Sequence, residues 1–101
     1  MPALISLDSV VAVSDQQVAA VLGDEVVILG LDEGAYFGLR AAGSRVWALI
    51  QQPQSLREVV EVLVTEFDVD RGRCEQDVLA LVASLAARRL ITVKAGGAPA
   101  C

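Results

Sequence analysis

Residues 25–47 read EVVILGLDEGAYFGLRAAGSRVW, and the fold is decided by how this stretch is divided. Glu25 to Leu31 is an apolar run of strand length, Asp32-Glu33-Gly34 a tight turn, and Ala35-Tyr36-Phe37-Gly38-Leu39 a second, aromatic strand. Gly34 supplies the positive φ that such a turn needs. After Leu39 the period changes. Val46, Trp47, Leu49 and Ile50 recur at helical spacing behind the small residues Ala41, Ala42 and Gly43, which predicts a helix over 41–51, ended by Pro53. Trp47 reads as core, since burying so large an apolar surface contributes about 1.5–3 kcal/mol. Two-residue alternation places Ala35, Phe37 and Leu39 on one face of the second strand and Tyr36 and Gly38 on the other. A glycine inside a strand weakens it and often marks a close approach of another backbone. Strand 35–39 is therefore expected to be a sheet edge that captures a peptide.

Upstream, Val10–Val13 and Gln17–Leu22 are strand-like, separated by the turn-forming pair Ser14-Asp15, and Gly23-Asp24 turns the chain again before Glu25. The first 40 residues thus give three or four short strands in an antiparallel meander, after a flexible start over 1–9. Downstream, Ser55-Leu56-Arg57-Glu58 matches a capping box. The residues after it are rich in valine, which also suits a strand, but the box, the length and the interrupting Glu61 and Glu66 favour a helix. Asp68-Val69-Asp70 forms a turn in which Asp70 can cap a third helix. There Cys74, Val78, Leu81, Val82 and Leu85 form an apolar stripe, widened by Leu79, Ala83 and Ala86. A helix this apolar either lies deep in the core or keeps a second face for a partner. Arg88 and Arg89 suit its negative end. Leu90 to Val93 adds a short strand, and residues 95–101 have the composition of a disordered tail. The expected class is α+β and winged helix-turn-helix-like: an N-terminal three-stranded antiparallel sheet followed by three helices, one domain over 10–94.

The chain of 101 residues has 8 basic and 13 acidic side chains, a net charge of −5 that argues against a general nucleic-acid or anionic-membrane binder. No run approaches the roughly 18 apolar residues of a membrane span, and the N-terminus lacks a secretory signal, so the expected location is cytoplasmic with reduced thiols. Histidine is absent, which removes Ser-His and Cys-His machinery and the commonest metal ligand. Two distant cysteines do not make a zinc site. No catalytic residue, metal or cofactor is therefore expected. The winged-helix outline raises DNA binding, yet Arg71 and Arg73 are offset by Asp70, Glu75 and Asp77 where base contacts would be made.

Peptide capture at the sheet edge is the better use of this outline. Micromolar affinity needs about 8 kcal/mol, and ordering a peptide costs about 2–5 more. Hydrogen bonds at about 1 kcal/mol each fall short, so two or three apolar anchors are required. The candidate site joins Ala35, Tyr36, Phe37, Gly38 and Leu39 on the strand to Cys74, Asp77, Val78, Leu81 and Leu85 on the third helix. Phe37 and Leu39 also read as core, Tyr36 as exposed at the groove, Cys74 as a packing residue, and Asp77 as solvated unless it faces the groove.

Taken in order, these residues resemble a known family. Val27-Ile28-Leu29, Asp32-Glu33-Gly34-Ala35-Tyr36-Phe37-Gly38-Leu39, Gly43, Val46-Trp47, Ser55-Leu56, Asp77-Val78 and Leu85 to Ile91 look like the PqqD-like proteins. These are recognition elements of ribosomally made, post-translationally modified peptide pathways, and the similarity spans about residues 10–93. The stand-alone size, Tyr36-Phe37-Gly38-Leu39 and the Cys74 to Val78 segment most resemble the leader-binding half of the split lasso-peptide B protein. The resemblance implies binding of a precursor's leader as an added strand and delivery to a cysteine-protease leader peptidase. The macrocyclase acts afterwards and is a further candidate partner. Alternatives are a winged-helix DNA-binding regulator, or a recognition element for a PQQ-type or radical-SAM pathway. Arg40 departs from the family, which often has Asn after the Leu. That Asn could cap the first helix, so the start of this helix is the part put in question.

Overall fold

The computed structural model describes residues 5–94. Along the chain come β1 (Val10–Val13), β2 (Gln17–Leu22), β3 (Glu25–Gly30), β4 (Tyr36–Arg40), α1 (Ala42–Leu49), β5 (Gln54–Ser55), α2 (Leu56–Phe67), α3 (Arg71–Ala87) and β6 (Ile91–Lys94). The α+β, winged helix-turn-helix-like class holds, with β2-β3-β4 as the three-stranded antiparallel meander before the helices. Both of its turns form where the glycines allow. Gly23 has φ 69° and Gly34 φ 67°, and the Gly34 amide donates to the Gly30 carbonyl at 2.8 Å. Alternation along β3 buries Val26 and Ile28, which meet Leu39 of β4, Val46 and Trp47 of α1, and the inner stripes of α2 and α3 in one core.

β1 departs from the expected meander. It lies between β5 and β6 in a second three-stranded antiparallel sheet, with Val10 opposite Lys94 and Val13 opposite Ile91. Nearest-neighbour pairing loses because Val11 and Ile91 are both core residues, and the distant strand completes their burial.

Residues 5–9, read from sequence as part of a flexible start, are instead fastened to the beginning of α2. The Ser9 and Leu7 carbonyls accept from the Leu56 and Arg57 amides at 3.0 and 2.8 Å, and Ser55 Oγ accepts from the Glu58 amide at 3.2 Å. Three of the four amides that a helix start leaves unpaired are thereby satisfied. Asp70 caps α3 as expected, its Oδ2 accepting from the Arg73 amide at 2.9 Å. By contrast, α1 has no side-chain cap. Its N-cap is Ala41, held at φ 52° and ψ −121°, while Arg40 reaches to Glu25 at 3.4 Å. The tail expected over 95–101, Cys101 included, lies outside the described residues, as do residues 1–4.

Candidate peptide-binding site

β4 is an edge strand of β2-β3-β4. The Gly30 amide donates to the Ala35 carbonyl at 2.9 Å, which marks residues 30 and 35 as a hydrogen-bonded pair. Bonded and non-bonded pairs alternate in an antiparallel ladder. In the observed register the backbones of Phe37 and Leu39 therefore bond to β3, and those of Tyr36, Gly38 and Arg40 turn their N–H and C=O groups to the open edge. Gly38 has no other atom within 4 Å of where a Cβ would stand. That open space lies on the outer face of the sheet, not at its edge, and the close backbone approach expected from sequence is not made there.

α3 runs antiparallel alongside this edge. At one end the Arg88 guanidinium covers the Phe37 ring at 5.2 Å from its centroid. Further along, Leu39 and Leu81 converge on Gly43, with side-chain carbons 3.4 and 3.8 Å from where a Cβ would stand. Beyond Leu81 lies an apolar cavity of about 220 Å³ between α1, the end of α2 and the start of α3, with no residue of β4 in its lining. Its walls include Gly43, Val46, Phe67, Val69, Cys74 and Val78. From Cys74 to Arg88 is about 21 Å at helical rise, the length of about six residues of strand.

Arg73 and Asp77, 3.5 Å apart, form the charged part of the cavity wall. Burial pushes the Cys74 thiol up from its ordinary range, with Asp77 adding to the effect, so the thiol is a neutral packing group. Arg45 holds Glu66 below the usual carboxylate range through a two-bond hydrogen-bonded pair, both bonds 2.9 Å, and Arg71 does the same to Glu61 at 2.7 Å. Among the described residues no cluster of His, Cys, Asp and Glu could hold a metal ion.

The residues singled out from sequence fall into a strand group and a helix group, which approach each other where Leu39 and Leu81 flank Gly43. Tyr36 is 71% exposed as expected, but its side chain lies with Gly38 on the outer face, away from α3 and not at a groove beside it. Phe37 and Leu39 face inward, and Ala35 sits just before β4 with its carbonyl committed to Gly30. Cys74, Asp77, Val78 and Leu81 line the cavity. Leu85 does not: it is 0% exposed and belongs to the core, where α3 passes under β6 and the Leu90 amide bonds back to its carbonyl. Arg40, through its backbone, and the cavity residues Gly43, Phe67, Val69 and Arg73 were missed. Val69 carried a signal, an apolar residue between two aspartates in a turn.

The arrangement defines a class: a small α+β domain with an open strand edge running beside a helix and into an apolar cavity. Residues 25–91 match the family model for coenzyme PQQ synthesis protein D (PqqD), and the chain belongs to that family. The structure is similar to that of TbiB1 in complex with the TbiA(beta) leader peptide, at 40% identity, TM-score 0.74, and coverage of 79% of this chain and 93% of that one. It also resembles a lasso peptide synthetase B1 complexed with the leader peptide, at 23% identity and TM-score 0.71, covering 81% and 96% of the two chains; this second likeness bears on the fold. No curated protein matches the chain.

Proposed function

We propose that this protein binds the leader of a ribosomally made precursor peptide as a fourth strand on β4 and presents it to a leader peptidase in lasso-peptide biosynthesis. The observation that carries the reading is the outward-turned backbone of Tyr36, Gly38 and Arg40, with Leu39 approaching Gly43 and Leu81 at the mouth of an apolar cavity. Main-chain bonds give register, and side chains pointing inward on the leader find Leu81 and the cavity, which supplies the anchors that affinity requires. The 40%-identical TbiB1, solved with a leader peptide, supports it. Holding the leader raises the effective concentration of the attached substrate at the peptidase. In this reading the chain is non-catalytic and cofactor-free and works in the cytoplasm over residues 10–94 as one recognition unit, with the macrocyclase, which acts after leader removal, as a further candidate partner. Among the described residues no helix is long and apolar enough to cross a membrane. DNA binding draws no support, because Arg71 and Arg73 at the start of α3 are each occupied by a carboxylate, Glu61 and Asp77.

The test is Gly38→Pro. Proline removes an amide that points away from β3, so circular dichroism is expected to show an intact fold. Fluorescence polarisation with a labelled leader is expected to show binding reduced at least about tenfold. Unchanged affinity would overturn the strand-edge reading. Leu81→Asp, at a half-buried position, is the companion variant for the cavity mouth, and Glu61→Ala is its control.

A further inference from the structure

Sheet β2-β3-β4 has a second edge, at β2, and an outer face that the proposed leader strand borders only at Tyr36 and Gly38 of β4. The register aligns Val18 with Leu29 and Tyr36, and Ala20 with Val27 and Gly38, all pointing away from the core. The outer face is thus apolar across three strands. On β2, Val18, Val21 and Leu22 are 59%, 69% and 59% exposed. Val21 points the other way, over a cavity beside Ala48 and Trp47 of α1, so β2 is bare on both faces. Its sequence QVAAVL has no charge and no proline, and its register runs without a bulge. Charges, prolines and bulges are the devices by which natural edges resist pairing, and β2 carries none of them; an uncovered apolar patch of this kind marks an interaction site.

The frame around the patch is acidic. Asp15 precedes β2, Asp24 lies in the β2–β3 turn and Glu33 in the β3–β4 turn; all are exposed, and none has an ion-pair partner among the described residues. The one basic side chain on the outer row, Arg40, is tied to Glu25. A second copy seated on this face would set carboxylates against carboxylates, and an anionic membrane would be repelled. The complement is a protein surface with an apolar centre and a lysine and arginine rim.

We propose that this face of β2-β3-β4 is the docking surface for the leader peptidase, which presents an apolar patch within a basic rim. The inference rests on the delivery reading given above. It is consistent with the geometry of the sheet: a leader strand on β4 extends the same face by about 4.8 Å, so a partner seated there lies next to its substrate.

The experiment measures binding of the purified cysteine-protease leader peptidase of the same pathway to the full chain, with leader present. Val18→Asp is expected to weaken peptidase binding about tenfold or more. Asp15→Lys combined with Asp24→Lys is expected to slow association and flatten its dependence on salt. Leader affinity by fluorescence polarisation is expected to stay at the wild-type value in both. Peptidase binding unchanged in both variants would overturn the inference. So would a wild-type dimer in sedimentation that Val18→Asp dissolves without touching peptidase binding, since a second copy would then own the face. If the wild-type chain binds leader but not peptidase, the delivery reading itself fails, a result distinct from either of these.

Discussion

The Arg88 guanidinium lies 5.2 Å from the centroid of the Phe37 ring, joining the C-terminal cap of α3 to the start of β4. With the Leu39–Gly43–Leu81 approach further along, it sets the spacing between the binding edge and the helix that walls it. An exposed contact of this type contributes about 0.5–1 kcal/mol. Arg88→Ala is expected to lower unfolding free energy in urea by about that amount. Combined with Phe37→Leu, it should show a coupling of similar size in a double-mutant cycle. Strictly additive losses would mean that the ring and the guanidinium are neighbours without interacting.

Ala41 joins β4 to α1 at φ 52° and ψ −121°, a conformation that side-chain-bearing residues rarely take. Such strain costs about 1–3 kcal/mol, and glycine would remove it while losing about 0.5–1 kcal/mol in chain entropy. Ala41→Gly is therefore expected to stabilise the protein by about 1 kcal/mol, a rise of about 4–8 °C in Tm. The family's Asn does not bear on this. Position 40 precedes the N-cap, and its occupant here is engaged with Glu25. A lower Tm for Ala41→Gly would show that the strain is not real.

Gly43 separates stability from binding. It lies in α1, where alanine is favoured over glycine by about 0.8–1 kcal/mol, and an added Cβ would meet Leu39 at an ordinary 3.4 Å. Gly43→Ala is expected to raise Tm. Gly43→Leu extends into the space between Leu39, Leu81 and the cavity, and is expected to cut leader affinity about tenfold with the fold kept. Wild-type leader binding by a folded Gly43→Leu protein would mean that the cavity takes no part.

The elements legible in the sequence were those fixed by local chemistry. Gly23 and Gly34 announced their turns because few other residues take positive φ there, and Ser55 and Asp70 announced helix starts because their oxygens reach amides three residues on. What local pattern does not encode is the partner of an element. The residues of β1 suit either sheet, and only the far end of the chain decides between them. Leu81 and Leu85 occupy one stripe a turn apart, yet one lines the cavity and the other is sealed under β6. The cavity drew Phe67 and Val69 from a helix end and a turn, places where apolar residues are usually read as incidental.

Acid sensitivity follows from the two hydrogen-bonded carboxylates. Arg45 and Arg71 hold Glu66 and Glu61 below their ordinary range in the folded chain, so the unfolded chain binds protons more readily. Their contribution is complete above the unfolded glutamate value of about 4.3 and is lost as pH falls through the lower folded one. Both pairs are exposed, so the effect is small and weakened by salt. Cys74 has the opposite sign. Its thiol is raised by burial, so its contribution is complete below the unfolded value of about 8.5 and is lost as pH rises through the folded one. Thermal melts are expected to be flat between about pH 5 and 8, with a shallow decline on either side. Glu66→Gln should reduce the acid limb and leave the alkaline one, and Cys74→Ala should do the reverse. An acid limb equally steep in Glu66→Gln would assign it to other carboxylates.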